Sequence, residues 1–199
     1  IGPVRTNGAT SVGPGRAPGR MKPDLVAFGG SLQRPFLVVG ADHASTLDAT
    51  GGTSFAAPAV LRMAAGIRAH MGPELGSLAL RALLIHTVDS NGDPVTEVGR
   101  GRLAGDLNDI LLCPDDTIRV VYQGEISPAR AVRAPIPLPS GPIAGMVRLT
   151  ATVCFATPVD AHHPDTYTRA GLEVMFRPHA ERRKKAEQLH PNTKAFFSK

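Results

Sequence analysis

The stretch that decides the fold of this chain is GGTSFAAPAV, residues 51–60. It contains the string G-T-S-x-A-x-P, formed by Gly52, Thr53, Ser54, Ala56 and Pro58. At average usages of roughly 5 to 8% per residue type, five fixed residues in seven positions arise by chance in about one chain in several thousand of this length. The string is therefore a specific signal, centred on a serine that precedes an apolar run.

Ser54 is the candidate nucleophile. A serine hydroxyl needs a base that takes its proton and fixed dipoles that accept the charge developing on the substrate carbonyl oxygen. We expect a helix to begin at Ser54, so that free backbone N–H groups, including its own, form part of an oxyanion hole. Gly51 and Gly52 permit a tight turn before the serine. The small Ala56 lets the helix pass close to the site, and Pro58 cannot donate a hydrogen bond to the Ser54 carbonyl.

A plainer alternative is that Thr53 or Ser54 only caps a helix, because Ser and Thr are common N-caps. Two flanking segments argue against it: KPDLVAFGG, residues 22–30, and VGRGRLAGDLNDILL, residues 98–112. With the central string, they resemble the K-P-D-V-x-A-P-G, G-T-S-x-A-x-P and Y-G-x-G-x-x-n segments of the subtilisin-like serine peptidases, the subtilases. The chain departs from the family's A-P-G at Ala27, Phe28 and Gly29.

This resemblance covers about the first 112 residues and implies an α/β fold, the C-terminal part of a subtilisin-like parallel-sheet domain. It also implies serine endopeptidase activity through an acyl-enzyme, with polypeptides as substrates and Phe55 lining the leaving-group side of the cleft. In that family the acid and the histidine precede the serine. No D-[ST]-G, H-G-T or G-N segment lies upstream here. We therefore expect the Asp, the His and the oxyanion Asn in a missing N-terminal part, and the present chain to be inert alone.

His43 is the candidate base within the chain itself, with Asp42 and Asp48 close by. The next residue, Ala44, does not match the family's histidine segment, and a solvated loop histidine is the favoured interpretation. A different class of function also stays open, in which a subtilisin-like scaffold binds a partner without catalysis. The retention of Ser54 argues against such a decayed site.

Apolar periodicity predicts a helix from Ser54 to His70 and a second helix from Ser77 to Thr87, capped by Ser77. Short apolar runs predict strands at Leu25–Phe28 and Phe36–Val39, with a loop from the second strand to the motif. Beyond residue 112 the period becomes two, over residues 118–123, 147–156 and 171–176. We therefore predict three regions: a catalytic part over 1–112, a small antiparallel, sandwich-like β-rich domain over 113–180, and a basic tail over 181–199.

Charge is concentrated in the tail. Seven Lys or Arg and two Glu lie from Arg177 onward, which is the whole formal net charge of +5. The chain has only seven Phe, two Tyr and no Trp, so stacking platforms for nucleic acid are not evident. A solvated tail is favoured over a nucleic-acid site. No apolar run is long enough to cross a membrane.

Metal and redox chemistry are weakly indicated. Asp160, His162, His163 and Asp165 share one loop, but adjacent histidines lack the spacing that zinc sites favour. The resemblance allows calcium in the full-length protein, although no acidic loop here has convincing ligand spacing. Cys113 and Cys154 lie in apolar company and are predicted to be buried free thiols, a disulfide between them being the alternative. A cytoplasmic location is favoured, with secretion as the alternative.

Overall fold

The computed structural model of the chain describes residues 13–14, 21–40, 46–162, 168–178, 182–188 and 191–196. Tertiary contacts divide the chain into two compact units, Ile1–Cys154 and Phe155–Lys199. The described residues contain four helices and three two-stranded antiparallel sheets. The architecture is thus mixed helix and strand, as expected of an α/β chain. The boundaries at residues 112 and 180, which were inferred from sequence periodicity, stay predictions.

Helix α1, Thr53–Met71, is the longest element and confirms the first predicted helix, with one more residue at each end. Gly52 is its N-cap and Gly72 its C-cap. The Gly72 N–H donates to the Arg68 carbonyl, and the positive φ of 95° at Gly72 ends the helix. One stripe of α1 enters the core, where Met63 and Ile67 are buried.

Helix α2, Ser77–His86, confirms the second predicted helix, but its predicted cap is wrong. Ser77 is the first helical residue, and the N-cap is Gly76, which has no side chain to cap with. Instead, Gly76 donates its N–H to the side-chain carbonyl of Gln123 at 2.9 Å. The Gln123 amide also donates to the carbonyl of Glu74 at 2.7 Å. The backbone N–H at the start of α2 is therefore hydrogen-bonded by a side chain 47 positions away in the sequence.

The main core cluster is formed by α1, α2, Leu75, Leu103 and a single-turn helix, α4 at Asn108–Leu111. A second single-turn helix, α3 at Val95–Val98, packs near β1, Gly13–Pro14, and β2, Met21–Lys22, and contributes no residue to that cluster. Ile67, Val98 and Ile110 are the largest fully buried side chains of the described residues. A side chain at Gly66 would clash with Leu107, because an added Cβ would lie 2.9 Å from a Leu107 methyl. The described part of the chain has ten buried hydrophobic residues: Met63, Ile67, Leu75, Ala79, Leu80, Leu83, Leu84, Val98, Leu103 and Ile110.

The hairpin before α1 consists of β3, Phe36–Val39, and β4, Leu47–Thr50, paired in antiparallel register with Phe36 opposite Thr50. Strand β3 confirms the prediction. Strand β4 falls in a segment that we predicted to be loop, because LDAT carries little strand signal of its own and pairs only through its partner. The remaining sheets join β1, Gly13–Pro14, to β2, Met21–Lys22, and β5, Met175–Phe176, to β6, Lys194–Ala195.

The strand predicted at Leu25–Phe28 is present only as an isolated parallel bridge between Val26 and Arg102. Val26 donates to Gly101 at 2.9 Å and accepts from Leu103 at 2.8 Å. This bridge connects the segment before the motif to the segment after it. It is the sole parallel pairing among the described residues, so the predicted parallel sheet is not confirmed.

The alternating segments 118–123 and 147–156 were predicted as strands, and that prediction is wrong for the described structure. Residues 113–154, all of them described, contain no helix or strand. Apolar alternation shows that a segment can present one face to a core, but a strand also needs a neighbouring edge to pair with. In the third segment only Met175–Phe176 is paired. The sandwich-like domain is therefore not confirmed.

Candidate functional site

Ser54 is the second residue of α1, and its side chain is exposed. The N-cap is Gly52, and no side chain caps the helix, so the alternative in which Thr53 or Ser54 serves as the cap is wrong. An uncapped N-terminus leaves backbone N–H groups of the first turn without side-chain acceptors. Ser54 therefore lies on a first helical turn whose N–H groups no side chain caps.

A close approach between two glycine pairs fixes the turn before the serine. The Gly52 N–H donates to the Gly29 carbonyl at 2.7 Å. A methyl group at Gly29 would lie only 2.7 Å from the Gly52 carbonyl oxygen. Gly30 has a φ of +91°, and a Cβ there would lie 2.9 Å from the Gly51 Cα. Gly29 and Gly30, which follow the K-P-D segment, therefore hold the turn that leads to Ser54.

Ala56 and Pro58 shape the first turns of α1. The Ala56 methyl lies 3.5 Å from the position that a Cβ on Gly29 would take. A side chain larger than alanine at position 56 would therefore press on the glycine turn. Pro58 lies inside the helix, where it has no N–H to donate to the carbonyl of Ser54. Both residues act on the backbone around the serine, and neither brings a reactive group to it.

Phe55, directly after Ser54, stacks on Phe36 of β3, with ring centroids 5.3 Å apart and planes 19° from parallel. Phe36 in turn contacts Phe28, with centroids 5.7 Å apart and an interplanar angle of 42°. We call Phe28, Phe36 and Phe55 the phenylalanine row. The sequence singled out Phe55 alone, because the other two contacts depend on how the hairpin folds.

A pocket of about 390 Å³ opens beside the glycine turn. It lies between the segment that follows Phe28 and the end of β4. None of its lining residues is ionisable: Gly30, Ser31, Leu32, Pro35, Ala49, Thr50 and Gly51. The lining of this pocket is therefore uncharged.

The two described histidines of the unit formed by residues 1–154, His70 and His86, make their side-chain contacts with groups other than Ser54. His70 lies sixteen residues along α1, about 24 Å away at 1.5 Å per residue, and contacts the Gly66 carbonyl at 2.9 Å. His86 contacts the Thr152 hydroxyl at 3.0 Å. Burial, assisted by the charge of Arg119, lowers the pKa of His86. His43 and Asp42 lie outside the described residues, and Asp48 is exposed on β4.

An ion-pair cluster fixes the K-P-D segment that leads to Gly29. Asp24 accepts from Lys22 at 2.8 Å and from Arg81 of α2 at 2.9 Å, and its backbone carbonyl accepts from the Arg100 N–H. Burial alone would raise the pKa of Asp24, but the Lys22 hydrogen bond and the Arg81 charge outweigh it and lower that pKa. The sequence analysis did not single out Arg81. The only sequence feature that could have done so is its charge, which interrupts the apolar residues of α2.

Other predicted sites are not assembled in the structure. Within the described part of the chain, no three His, Cys, Asp or Glu side chains come together as metal ligands. His163 and Asp165 lie outside that part, while His162 is exposed. Cys113 and Cys154 are free and half-buried, so the disulfide alternative is not formed. No helix in the described residues is long and apolar enough to cross a membrane.

Comparison with known proteins gives one family. The model of the subtilase family, which is a family of serine peptidases, matches residues 5–102. This span contains the K-P-D segment, the glycine turn, α1 and α2. No curated protein and no solved structure matches the chain.

Proposed function

Residues 5–102 belong to the subtilase family, and from this premise we propose that the chain carries the nucleophilic serine of an endopeptidase. The observation that supports the proposal most is the placement of the Ser54 hydroxyl, exposed on the first turn of α1 and held there by the contact between Gly29 and Gly52. A serine retained only for packing would have no need of this exposed position.

In the proposed reaction, Ser54 Oγ bonds to the scissile carbonyl carbon while a histidine takes its proton. The carbonyl oxygen becomes an oxyanion, and the Ser54 backbone N–H is one of its donors. The carbon–nitrogen bond then breaks as the histidine gives its proton to the leaving amine. Water, deprotonated by the same histidine, releases the acyl group and restores the hydroxyl.

We further propose that a longer polypeptide supplies the histidine, the aspartate that orients it and a second oxyanion donor. The support is that the imidazoles of His70 and His86, the described histidines of the unit that holds Ser54, contact the Gly66 carbonyl and the Thr152 hydroxyl. An exposed serine that has no general base beside it has the reactivity of an ordinary alcohol. The 199-residue chain alone should therefore be inert toward peptides.

Peptide hydrolysis by the longer polypeptide tests the proposal. Ser54→Ala should lower kcat by about 10⁶-fold, the scale seen when the serine of a subtilisin-type triad is removed. Ser77→Ala is the matched control, because Ser77 is also an exposed serine at a helix start and should leave kcat unchanged. Equal activity of the Ser54→Ala protein and the wild type would overturn the proposal, whereas no peptide hydrolysis by the wild type would favour a partner-binding scaffold.

A further inference from the structure

A tight turn over residues 90–93 lies between α2 and α3. The Asp93 N–H donates to the Ser90 carbonyl at 2.8 Å, which closes the turn. The two central residues, Asn91 and Gly92, both have positive φ, 48° and 77°. Positive φ at both central positions is typical of a type I′ turn, in which Asn followed by Gly is the favoured pair. The fold therefore presents an asparagine side chain directly before a glycine nitrogen.

This pair is open to solvent. Asn91 and Gly92 are both exposed. Apart from the two chain neighbours of Gly92, no atom lies within 4 Å of the position that a Cβ there would take. The Asn91 N–H donates to the Asp89 carboxylate at 2.8 Å, but no hydrogen bond of the described residues uses the Gly92 N–H. The Gly92 nitrogen is thus accessible to the neighbouring side chain and to water.

We propose that the Asn91–Gly92 pair is a site of spontaneous covalent modification, at which Asn91 becomes aspartate and isoaspartate. The Gly92 nitrogen bonds to the side-chain carbonyl carbon of Asn91. The side-chain carbon–nitrogen bond breaks, and the NH2 group leaves as ammonia with the proton from the Gly92 nitrogen. Water then opens the cyclic imide. Attack at the side-chain carbonyl gives aspartate, whereas attack at the backbone carbonyl leaves Gly92 joined through the former side chain, as isoaspartate.

The other described asparagines lack this combination of features. Asn108 is also exposed, but it is the first residue of α4 and precedes Asp109, whose side chain crowds the attacking nitrogen. The side-chain oxygen of Asn192 accepts a backbone N–H at 3.1 Å, and the next residue is the β-branched Thr193. A second Asn-Gly pair, residues 7–8, lies outside the described residues. The modification does not depend on the proposed function.

Both ends of the turn are held, so a longer backbone between them should be destabilising. Asp89 pairs with Arg102 through two backbone hydrogen bonds of 3.2 and 2.8 Å. A Cβ on Gly101 would lie 2.5 Å from the Asp89 carbonyl carbon, so the chain before the turn has little room to shift. After the turn, Pro94 is the N-cap of α3, in which Val98 is buried. Isoaspartate adds one backbone atom between these two points.

The test incubates the 199-residue chain at mildly alkaline pH, which favours loss of the Gly92 amide proton, and follows each asparagine-containing peptide by mass spectrometry. The Asn91 peptide should lose its unmodified form and gain the mass difference between NH and O. The Asn108 and Asn192 peptides are internal controls and should stay unmodified. Asn91→Gln should abolish the modification in its peptide, because the longer side chain must close a larger ring.

The isoaspartyl protein, separated by ion exchange, should melt about 2–4 °C below the unmodified chain, as a loss of about 1 kcal/mol would cause. Asn91→Asp is the matched control, because it adds the same charge without the extra backbone atom, and it should keep the wild-type melting temperature. Equal melting of these two proteins would contradict the claim that both ends of the turn are held.

Three results would overturn the modification site itself. The first is an Asn91 peptide that stays unmodified throughout the incubation. The second is modification of Asn91 only after the chain is unfolded in urea, which would mean that the folded turn protects the pair. The third is equal modification at Asn91 and Asn108, because the turn would then have no part in the reaction.

Discussion

Residues 21–112 and residues 113–154 belong to one compact unit, yet they are built differently. The first region holds the subtilase segments and all ten buried hydrophobic residues of the described structure, from Met63 to Ile110. The second has no helix or strand and exposes apolar side chains such as Ile118, Val120 and Leu138. Similar apolar content thus gives a core only where helices place it on one face.

The contribution of side-chain burial to the free energy of unfolding separates the two regions most sharply. Ile67 is fully buried, whereas Ile118 is 60% exposed. We expect Ile67→Ala to lower the free energy of unfolding by about 2–5 kcal/mol, from lost transfer energy and a residual cavity. Ile118→Ala should change it by less than about 0.5 kcal/mol. Urea unfolding of both variants measures the difference, and equal losses would show that residues 113–154 share the core.

The glycine turn gives the second contrast. At Gly29 an added methyl would lie 2.7 Å from the Gly52 carbonyl oxygen, whereas at Gly124 no atom lies within 4 Å. Gly29→Ala should destabilise the protein by about 1–3 kcal/mol through overpacking and should also slow the reaction of Ser54. Gly124→Ala should be within about 0.5 kcal/mol of the wild type. If thermal unfolding shows no difference between them, the turn is not held as tightly as the structure indicates.

Gln123 connects the two regions. Its side chain accepts from the Gly76 N–H and donates to the Glu74 carbonyl, so it caps α2 from outside. Gln123→Ala should cost about 1–2 kcal/mol, the value of two net hydrogen bonds, while Gln33→Ala on an exposed loop should be neutral. Hydrogen exchange should show faster exchange in the first turn of α2. Unchanged exchange would mean that water replaces the cap at no cost.

The smallest effect concerns pH. His86, on α2, contacts Thr152 of the extended region, and burial lowers the pKa of His86 below its usual 6.5. Between the lowered pKa and 6.5 the unfolded chain binds more protons, so stability falls as pH drops through this window and is constant above it. The melting temperature should decline from pH 7 toward pH 5. His86→Gln should reduce this decline in melting temperature. If the variant declines as much as the wild type, groups other than His86 cause the decline.

Sequence patterns predicted what local interactions determine. The bounds of α1 and α2 followed from apolar periodicity, and the family match over residues 5–102 agrees with the resemblance of the K-P-D and G-T-S segments, while the role of Ser54 stays a prediction. The sequence did not reveal β4, the cap by Gln123, the ion pair of Asp24 with Arg81 or the phenylalanine row, because each joins residues that are distant in the sequence. The predicted strands over 118–123 and 147–156 failed for the same reason: alternation is local, but strand pairing is not.

Covalent labelling of Ser54 tests the central claim most directly. The longer polypeptide and the 199-residue chain are treated with a fluorophosphonate, and the modified residue is identified by mass spectrometry, with Ser77 as the internal control. We expect an adduct on Ser54 of the longer polypeptide and none on Ser77 or on the short chain. Equal labelling of both proteins at Ser54 would contradict the need for a base supplied from outside, and no labelling of either would contradict a nucleophilic role for Ser54.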